Sequence, residues 1–406
     1  MRRLLFIMVA LAVPFRGVSA ADATRSLGEL ARAAVTDDPA RSSAAVAALR
    51  EAGPAGLQAL LEVHADTIQR KHANPSLADA EWRRVSAALD AVARQRDAWA
   101  SGLYWFTDFD RARVEARATG KPILSLRLLG NLDEEFSCAN SRFFRTVLYP
   151  NPEVARVLRE EFVLYWKSVR PVPRVTIDFG DGRVLQRTIT GNSIHYVLDA
   201  DGHVIDALPG LYGPKAFLAA LRPAIEAAAA SAKLDAPERG KFLRDYHGQR
   251  ILEIERSWRS DAEKANIAAA DPSQWEDATW KKIAALHGGD ARLDGASIEL
   301  MRAKWPDAMA ATRITASKAM VETPLMREVH LLEHSVAEDT VRNEYLLHHT
   351  IHDWLAHGGT DANADALNER VYAELFLSPL SDPWLGLAPQ DVYSALASGG
   401  QRLSNK

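Results

Sequence analysis

Cys138 is the only cysteine of the 406-residue chain, and Ser141 follows it three positions later in the stretch GNLDEEFSCANSRFF. A thiolate attacks disulfides, and a second cysteine at the position of Ser141 would resolve the mixed disulfide that forms. A serine hydroxyl is a far poorer nucleophile, so the redox chemistry open to Cys138 is that of a single thiol resolved by an external thiol. A helix start at Cys138 and the charge of Arg142 would favour the thiolate, whereas Glu134 and Glu135 oppose it.

Two pairs of histidines, each with a spacing of four residues, form the second pattern that could do chemistry. Two histidines at this spacing share one face of a helix and can bind a transition metal ion. The sequence from 325 to 355 has no glycine or proline and keeps apolar residues at helical spacing, which predicts one long helix or two helices joined by a slight bend. The pairs are His330 with His334 and His348 with His352.

A continuous helix would keep the two pairs apart. From His330 to His348 it spans about 27 Å at 1.5 Å per residue, so all four histidines could meet only if the chain folded back near Ser335. His334 lies opposite the apolar stripe of this helix, and His348 and His352 lie along its edge. We therefore expect solvent-exposed or core-edge histidines and no metal site, with the four residues as weak candidates for ligands.

The N-terminus predicts export. Arg2 and Arg3 precede an apolar run, and small residues at 18 and 20 match the positions that a signal peptidase reads. Residues 1–20 are therefore interpreted as a cleaved signal peptide, with an uncleaved anchor as the alternative. No later stretch approaches the ~20 apolar residues of a membrane span, so the mature chain should lack a transmembrane helix and be periplasmic or secreted. The formal net charge of -4 gives no basic excess, so no nucleic-acid partner is expected.

The regions that must position these residues differ in their pattern. Residues 21–100 are rich in Ala, Leu, Arg and Glu at helical spacing and break near Gly53, which predicts a helical N-terminal region resembling one HEAT-type hairpin. Residues 235–406 again predict a helical region. The fold class expected is therefore a mixed α/β or α+β sandwich in the middle of the chain, flanked by mainly helical N- and C-terminal regions.

The middle of the chain predicts alternating strands and helices. The run ILSLRLL predicts a buried strand, and Pro152 suits the first turn of a helix. Turns around Gly180–Gly182 and Asp201–Gly202 predict two β-hairpins. A helix from Pro214 to about residue 230 completes a small α/β sandwich.

An ordered series of motifs in this middle region, W…AxxxGKPIL…CxxS…PEVARVLREEFV…RP…YVLDADGxVI…GxxxxxxF, resembles the thioredoxin superfamily. The resemblance covers residues 104–222 and implies a thioredoxin-like domain over 104–233. It implies that Cys138 and Ser141 occupy the positions of the redox pair, and that Ser193 stands where the family has a cis-proline. A trans bond is expected before Ser193, because a cis bond before a residue other than proline costs about 2.5–4 kcal/mol.

His195 completes the set of candidate residues. On a strand it points to the same side as Ser193, so it would approach the thiol as a base if Ser193 faces Cys138. A histidine that simply packs at the end of a strand is the alternative.

Two functions of different class remain open from the sequence. One is an exported monothiol thiol-disulfide factor that acts through Cys138 on a protein partner or a small thiol, with Ser141, Arg142, Ser193 and His195 around it. The other is a redox-silent binding or scaffold module, in which Cys138 is a small buried hydrophobe. Whether the chain is an enzyme stays open, and no cofactor is expected. An exposed thiol at a helix start favours the first function, and a buried thiol favours the second.

Overall fold

The computed structural model describes residues 20–74, 76–268, 271–304, 318–358 and 363–387. Within these ranges the chain has a mixed α+β fold, with a four-stranded mixed sheet in the middle and helices before and after it. This arrangement confirms the coarse fold class expected from the sequence. The predicted signal peptide lies outside the described residues except for Ala20.

Helices form the whole of the N-terminal region. Asp38 and Asp79 accept hydrogen bonds from backbone N–H groups at the starts of the second and fifth helices, which is the preferred role of Asp at an N-cap. A short 3-10 turn at Ala98–Ala100 leads into the sheet region. The helices are α1 (Ala20–Ala33), α2 (Pro39–Glu51), α3 (Pro54–Val63), α4 (Ala65–Ala73) and α5 (Ala80–Ala93).

The middle region contains the predicted strands and both predicted hairpins. The run ILSLRLL forms a strand in which every residue is buried. In chain order the elements are α6 (Phe109–Thr119), β1 (Ile123–Leu129), α7 (Ala139–Phe143) with a π-helical turn (Phe144–Leu148), α8 (Pro152–Glu161), β2 (Val163–Arg170), β3 (Arg174–Asp178), β4 (Val184–Thr188), β5 (Ser193–Leu198), β6 (Val204–Pro209) and α9 (Pro214–Ser231).

The sheet has the strand order β2-β1-β5-β6. Strands β1 and β2 are parallel, whereas β5 is antiparallel to both β1 and β6. Strands β3 and β4 form a separate two-stranded hairpin. Helices α7 and α8 connect the parallel strands β1 and β2. Cys138 therefore lies between the end of the central strand β1 and the start of α7.

The C-terminal region is helical, as predicted. The helix expected over 325–355 is continuous, because a π-helical turn (Asn343–His348) joins two α-helices without a break. A second π-helical turn (Val371–Leu375) follows the last described α-helix, Ala364–Arg370. A 3-10 turn (Pro272–Gln274) precedes the α-helix Asp277–Leu286. The helices are α10 (Ala236–Lys264), α11 (Asp277–Leu286), α12 (Gly295–Lys304), α13 (Lys318–Arg342), α14 (His349–His357) and α15 (Ala364–Arg370).

Helices cover both faces of the sheet, which is why β1, β5 and β6 are buried along their length and β2 over its first four residues. One apolar cluster joins the N-terminal helices to Tyr196 of β5 and to Ile351 of α14. A second cluster joins Val197 of β5 to α9, α10 and the other C-terminal helices. Both helical regions therefore pack on the middle region. None of the helices in the described part of the chain combines the length and apolarity needed to cross a membrane.

Candidate functional site

Cys138 lies at the N-cap of α7, as the sequence predicts. Its Sγ accepts a hydrogen bond from the backbone N–H of Ser141 at 3.4 Å. The side chain has no exposed surface. Burial raises the pKa of the Cys138 thiol, and the opposing effects of the backbone at Ser141 and the charge of Arg142 are smaller. The thiol is therefore protonated at neutral pH.

Two tyrosines lie near the thiol, and one of them belongs to a C-terminal segment. Burial raises the pKa of the phenols of Tyr149 and Tyr372, and the charge of a Cys138 thiolate would raise both further, so both phenols lie within electrostatic range of the sulfur. Tyr372 donates a hydrogen bond to the carbonyl of Asn192 at 2.8 Å. Asn192 in turn donates to the hydroxyl of Ser378 at 3.0 Å. The π-helical turn Val371–Leu375 and the residues after it are therefore held against the loop that packs on the start of α7.

His195 lies in the same buried region but is engaged elsewhere. Its Nε2 forms a hydrogen bond with the hydroxyl of Tyr149 at 2.8 Å, and its ring packs against Phe144 and Phe217. Its Nδ1 has no hydrogen-bond partner within the described ranges. Burial lowers the pKa of His195 to about 3. The imidazole is therefore neutral at pH 7, and neither ring nitrogen forms a hydrogen bond with the thiol.

The other residues of the predicted site are close to the pocket but do not activate the thiol. The guanidinium of Arg142 donates to the hydroxyl of Thr188 in β4 at 2.9 Å. The hydroxyls of Ser141 and Ser193 are buried and lack a partner among the described residues. The peptide bond before Ser193 is trans, as expected. A Cβ at Gly191 would lie 3.0 Å from Ala139, so the loop that leads to Ser193 packs against the start of α7.

The hairpin of β3 and β4 borders this pocket and carries exposed apolar side chains. Thr188 also donates to the carbonyl of Ser137 at 3.3 Å, which holds the end of β4 against the residue before Cys138. Ile177 and Leu185 pair directly across the hairpin, and both are exposed. An isolated two-stranded hairpin is marginally stable in water. Exposed apolar residues on such a hairpin are typical of a surface that contacts another protein. The large apolar side chains exposed in this part of the chain are Ile177, Phe179, Val184, Leu185 and Ile189.

A second buried polar cluster brings together Asp206, His348 and His352. Asp206 is the third residue of β6, an otherwise apolar strand, while His348 ends the π-helical turn and His352 belongs to α14. All three side chains are inaccessible to solvent. The Nε2 of His348 lies 3.1 Å from Asp206 Oδ1, and the Nε2 of His352 lies 3.8 Å from the same oxygen.

We call Asp206, His348 and His352 the Asp206 cluster. Further side chains contact these three residues on the side away from their shared centre. Glu344 Oε2 lies 2.8 Å from Nδ1 of His348, and His247 Nδ1 lies 2.9 Å from Nδ1 of His352. The hydroxyl of Tyr246 donates to Asp206 Oδ2. Each ligand-type side chain is therefore oriented by a neighbour on the side away from the centre.

The charges of the Asp206 cluster are coupled. Burial acts to raise the pKa of Asp206, but the surrounding histidines outweigh it and lower that pKa. Burial acts against the protonation of His348, but Glu344 and Asp206 outweigh it and raise its pKa. Burial lowers the pKa of His352 and of His247. Without a metal ion, the cluster therefore contains a charged His348 between two carboxylates and a neutral pair, His247 and His352.

The expectation that His348 and His352 are solvent-exposed or at the edge of the core is wrong. The edge of the helix that carries them packs against β6, and Asp206 projects from that strand. The close approach depends on Gly210 at the end of β6, because a Cβ there would lie 2.5 Å from the side chain of Asn343. His330 and His334 are exposed, and the continuous helix keeps them away from the second pair, as predicted.

Sequence reasoning missed Asp206, His247, Tyr246 and Glu344. Two signals were present. An acidic residue in the middle of the apolar strand VIDALP needs a buried partner, and Glu344 precedes His348 by four residues on the same helical face. Nothing in the sequence around His247 distinguishes it from other residues of a charged amphipathic helix.

A cavity of about 660 Å³ lies next to the Asp206 cluster, between α9, α10, the end of α13, the turn Asn343–His348 and the residues that follow α11. Glu344 forms part of its wall and also contacts His348, so the cavity reaches the residue behind the cluster. Polar and charged side chains line it, among them Arg250, Asp261, His287 and Tyr345.

No protein family, curated protein or solved structure matches this chain. The function must therefore be argued from the two buried clusters and the surfaces beside them.

Proposed function

We propose that this chain is a redox-silent protein-binding module whose middle region has a thioredoxin-like fold. The strand order β2-β1-β5-β6, with one parallel and two antiparallel pairings, supports this fold. The helices between β1 and β2 and the helix after β6 support it as well. Cys138 at the helix start after β1, with the loop before Ser193 packed against that start, agrees with the positions that the resemblance implies.

The observation that carries the redox-silent part of the proposal is the burial of Cys138. A reactive thiol needs both access and a thiolate fraction. The Cys138 side chain has no exposed surface, and burial raises its pKa. Ser141 cannot resolve a mixed disulfide, and its hydroxyl is also buried.

The exposed apolar side chains of the β3–β4 hairpin support the binding part of the proposal. They lie next to the pocket in which the family's redox chemistry would take place, and the outer edges of both strands have no ladder partner among the described strands. An extended polypeptide that adds to one edge of the hairpin would bury these side chains and pair the open backbone groups.

The experiment that tests the proposal is the alkylation of Cys138 in the folded protein as a function of pH. Cys138→Ser is the blank. We expect negligible labelling of the native protein at pH 7 and complete labelling in denaturant. Rapid native labelling with an apparent pKa below the ~8.5 of a free thiol would contradict the redox-silent assignment.

The same measurement decides the alternative, a monothiol thiol-disulfide factor that acts through Cys138. One observation favours it: the loop that packs on the start of α7 is held to a single C-terminal segment through Tyr372 and Asn192. Opening of that segment would expose the thiol at a helix start beside unpartnered buried hydroxyls. A native labelling rate that exceeds the rate of global unfolding would support this function, and trapping of disulfide-linked partners on Cys138 would then identify its substrate.

A further inference from the structure

We propose that Asp206, His348 and His352 form a binding site for a divalent transition metal ion, with Zn²⁺ the ion that their chemistry fits best. Two imidazoles and one carboxylate are a ligand set that zinc accepts in proteins. The site is independent of the thiol chemistry discussed above. Its ligands come from β6, from the π-helical turn and from α14, so a bound ion would join the sheet to the C-terminal helices.

The distances between the donor atoms suit such an ion. Bonds of 2.0–2.2 Å from zinc to nitrogen and oxygen, at tetrahedral angles, separate neighbouring donor atoms by roughly 3.3–3.6 Å. The Nε2 atoms of His348 and His352 lie 3.1 and 3.8 Å from Asp206 Oδ1, and the donor atoms of the three residues all lie within 4.8 Å of one another. The two distances to Asp206 Oδ1 thus bracket the spacing that zinc requires.

The polar atoms of each ligand that would not bind the ion contact other polar side chains, as is usual around metal ions in proteins. Ligating histidines in proteins generally donate their second ring nitrogen to a carboxylate, a carbonyl or another polar group, which fixes the ring and its tautomer. Here Nδ1 of His348 contacts Glu344, and Nδ1 of His352 contacts His247. Tyr246 donates to the oxygen of Asp206 that does not face the histidines. The Nε2 atoms of both histidines and Oδ1 of Asp206 are thus left on the inner side of the cluster, where Oδ1 also accepts the backbone N–H of Ala207.

An independent observation comes from His352. Its Nε2 is buried and has no hydrogen-bond partner in the described part of the chain. Buried polar atoms without a partner are rare in folded proteins. This nitrogen lies 3.8 Å from Asp206 Oδ1, and a metal ion between them would provide its missing interaction.

A second group of acidic and histidine side chains shows the contrast. Asp199, Asp201 and His203 also lie close enough to hold an ion. Asp199 Oδ1 accepts from the backbone N–H groups of Asp201 and His203, and Asp201 pairs with Arg117 at 2.6 Å. In contrast to His352, none of these three residues has a buried side-chain polar atom without a partner. No metal is assigned to this group.

The test uses the full chain after removal of bound metal with a chelator and dialysis. Titration with Zn²⁺ alone, followed by calorimetry and by metal analysis of the desalted protein, should give one equivalent per chain. His352→Gln removes one ligand and should weaken binding by at least ~100-fold, and Glu344→Gln should weaken it by about 10–100-fold. His330→Gln and His334→Gln are matched controls, since both histidines are exposed on the preceding helix, and neither should change the affinity.

Titration with Co²⁺ gives a second readout on the unmodified protein, which keeps the proposal testable if His352→Gln fails to fold. Visible absorption bands of nitrogen and oxygen ligation are expected, and Cys138→Ser should leave them unchanged. Failure of the folded wild-type chain to bind either ion stoichiometrically would overturn the proposal. An equal loss of affinity in His352→Gln and His330→Gln would overturn it too, and so would a thiolate charge-transfer band that disappears in Cys138→Ser.

Discussion

The pocket around Cys138 and the Asp206 cluster are both closed to solvent, yet they satisfy their polar atoms differently. Around Cys138, the hydroxyls of Ser141 and Ser193 and the Nδ1 of His195 lack hydrogen-bond partners within the described residues. In the Asp206 cluster, both carboxylate oxygens and both nitrogens of His348 have partners, and Nε2 of His352 lacks one. The Cys138 pocket contains the residue types of a redox motif, but its neighbouring groups do not activate the thiol. The Asp206 cluster matches no sequence motif, but its hydrogen bonds and charged neighbours stabilise buried charges.

The difference shows that a motif identifies a place in a fold, while the neighbours decide the chemistry there. At Cys138 the charge of Arg142 and the backbone hydrogen bonds have smaller effects than burial, so the pKa of the thiol rises. At Asp206 the neighbours carry charge, so the pKa of the carboxyl falls in spite of complete burial. Three substitutions test this contrast.

The largest effect is expected for Asp206→Ala. Removal of this carboxylate leaves His348 and Tyr246 in the interior without their common partner. Breaking a buried ion pair from one side costs about 3–5 kcal/mol. We expect the free energy of unfolding to fall by that amount in urea titrations that contain a chelator, so that the measurement reports on the protein alone.

Asp201→Ala is the matched control for this prediction. Asp201 lies in the turn just before β6 and pairs with Arg117 at the surface, where an ion pair contributes about 0.2–1 kcal/mol. A loss of less than about 1 kcal/mol for Asp206→Ala would mean that the Asp206 cluster does not hold the C-terminal helices to the sheet.

The contrast between the two pockets also explains what the sequence could predict. Local patterns sufficed for β1, for the hairpins and for the long helix that contains His348, because apolar spacing and turn residues act over a few positions. The pairing of Asp206 with His348 joins residues 142 positions apart and depends on how α14 packs on β6. The loop beside Cys138 is held by Tyr372, which lies in a different region of the chain. Neither relationship leaves a trace in the local sequence.

A smaller, pH-dependent effect is expected for His195→Gln. Burial holds the pKa of His195 at about 3 in the folded chain, whereas the pKa of a histidine in the unfolded chain is about 6.5. Between these values the unfolded state binds the additional proton, so the folded state loses stability as the pH falls below 6.5. At about 1.4 kcal/mol per pH unit, wild-type stability should fall by about 2 kcal/mol more than that of His195→Gln between pH 7 and pH 5.

Urea titrations of the two proteins at both pH values measure this difference directly. Glutamine is neutral and of similar size, so any loss of packing affects both pH values equally and cancels. Parallel losses in the two proteins would show that His195 is protonated in the folded state, and the description of the Cys138 pocket as a neutral, dry interior would then be wrong.

The smallest effect is expected for Tyr372→Phe, which tests the segment Val371–Leu375 near the Cys138 pocket. The substitution removes the hydrogen bond from the phenol to the carbonyl of Asn192, which contributes about 0.5–1.5 kcal/mol. If the segment opens locally, alkylation of Cys138 in the native protein should accelerate by about threefold to tenfold, because about 1.4 kcal/mol corresponds to a factor of ten. Tyr104→Phe is the control, since it removes a similar hydrogen bond to the carbonyl of Arg50 in the N-terminal region. Equal acceleration in both variants would mean that the thiol is reached only by global unfolding. Cys138 would then be a core residue that no local opening exposes.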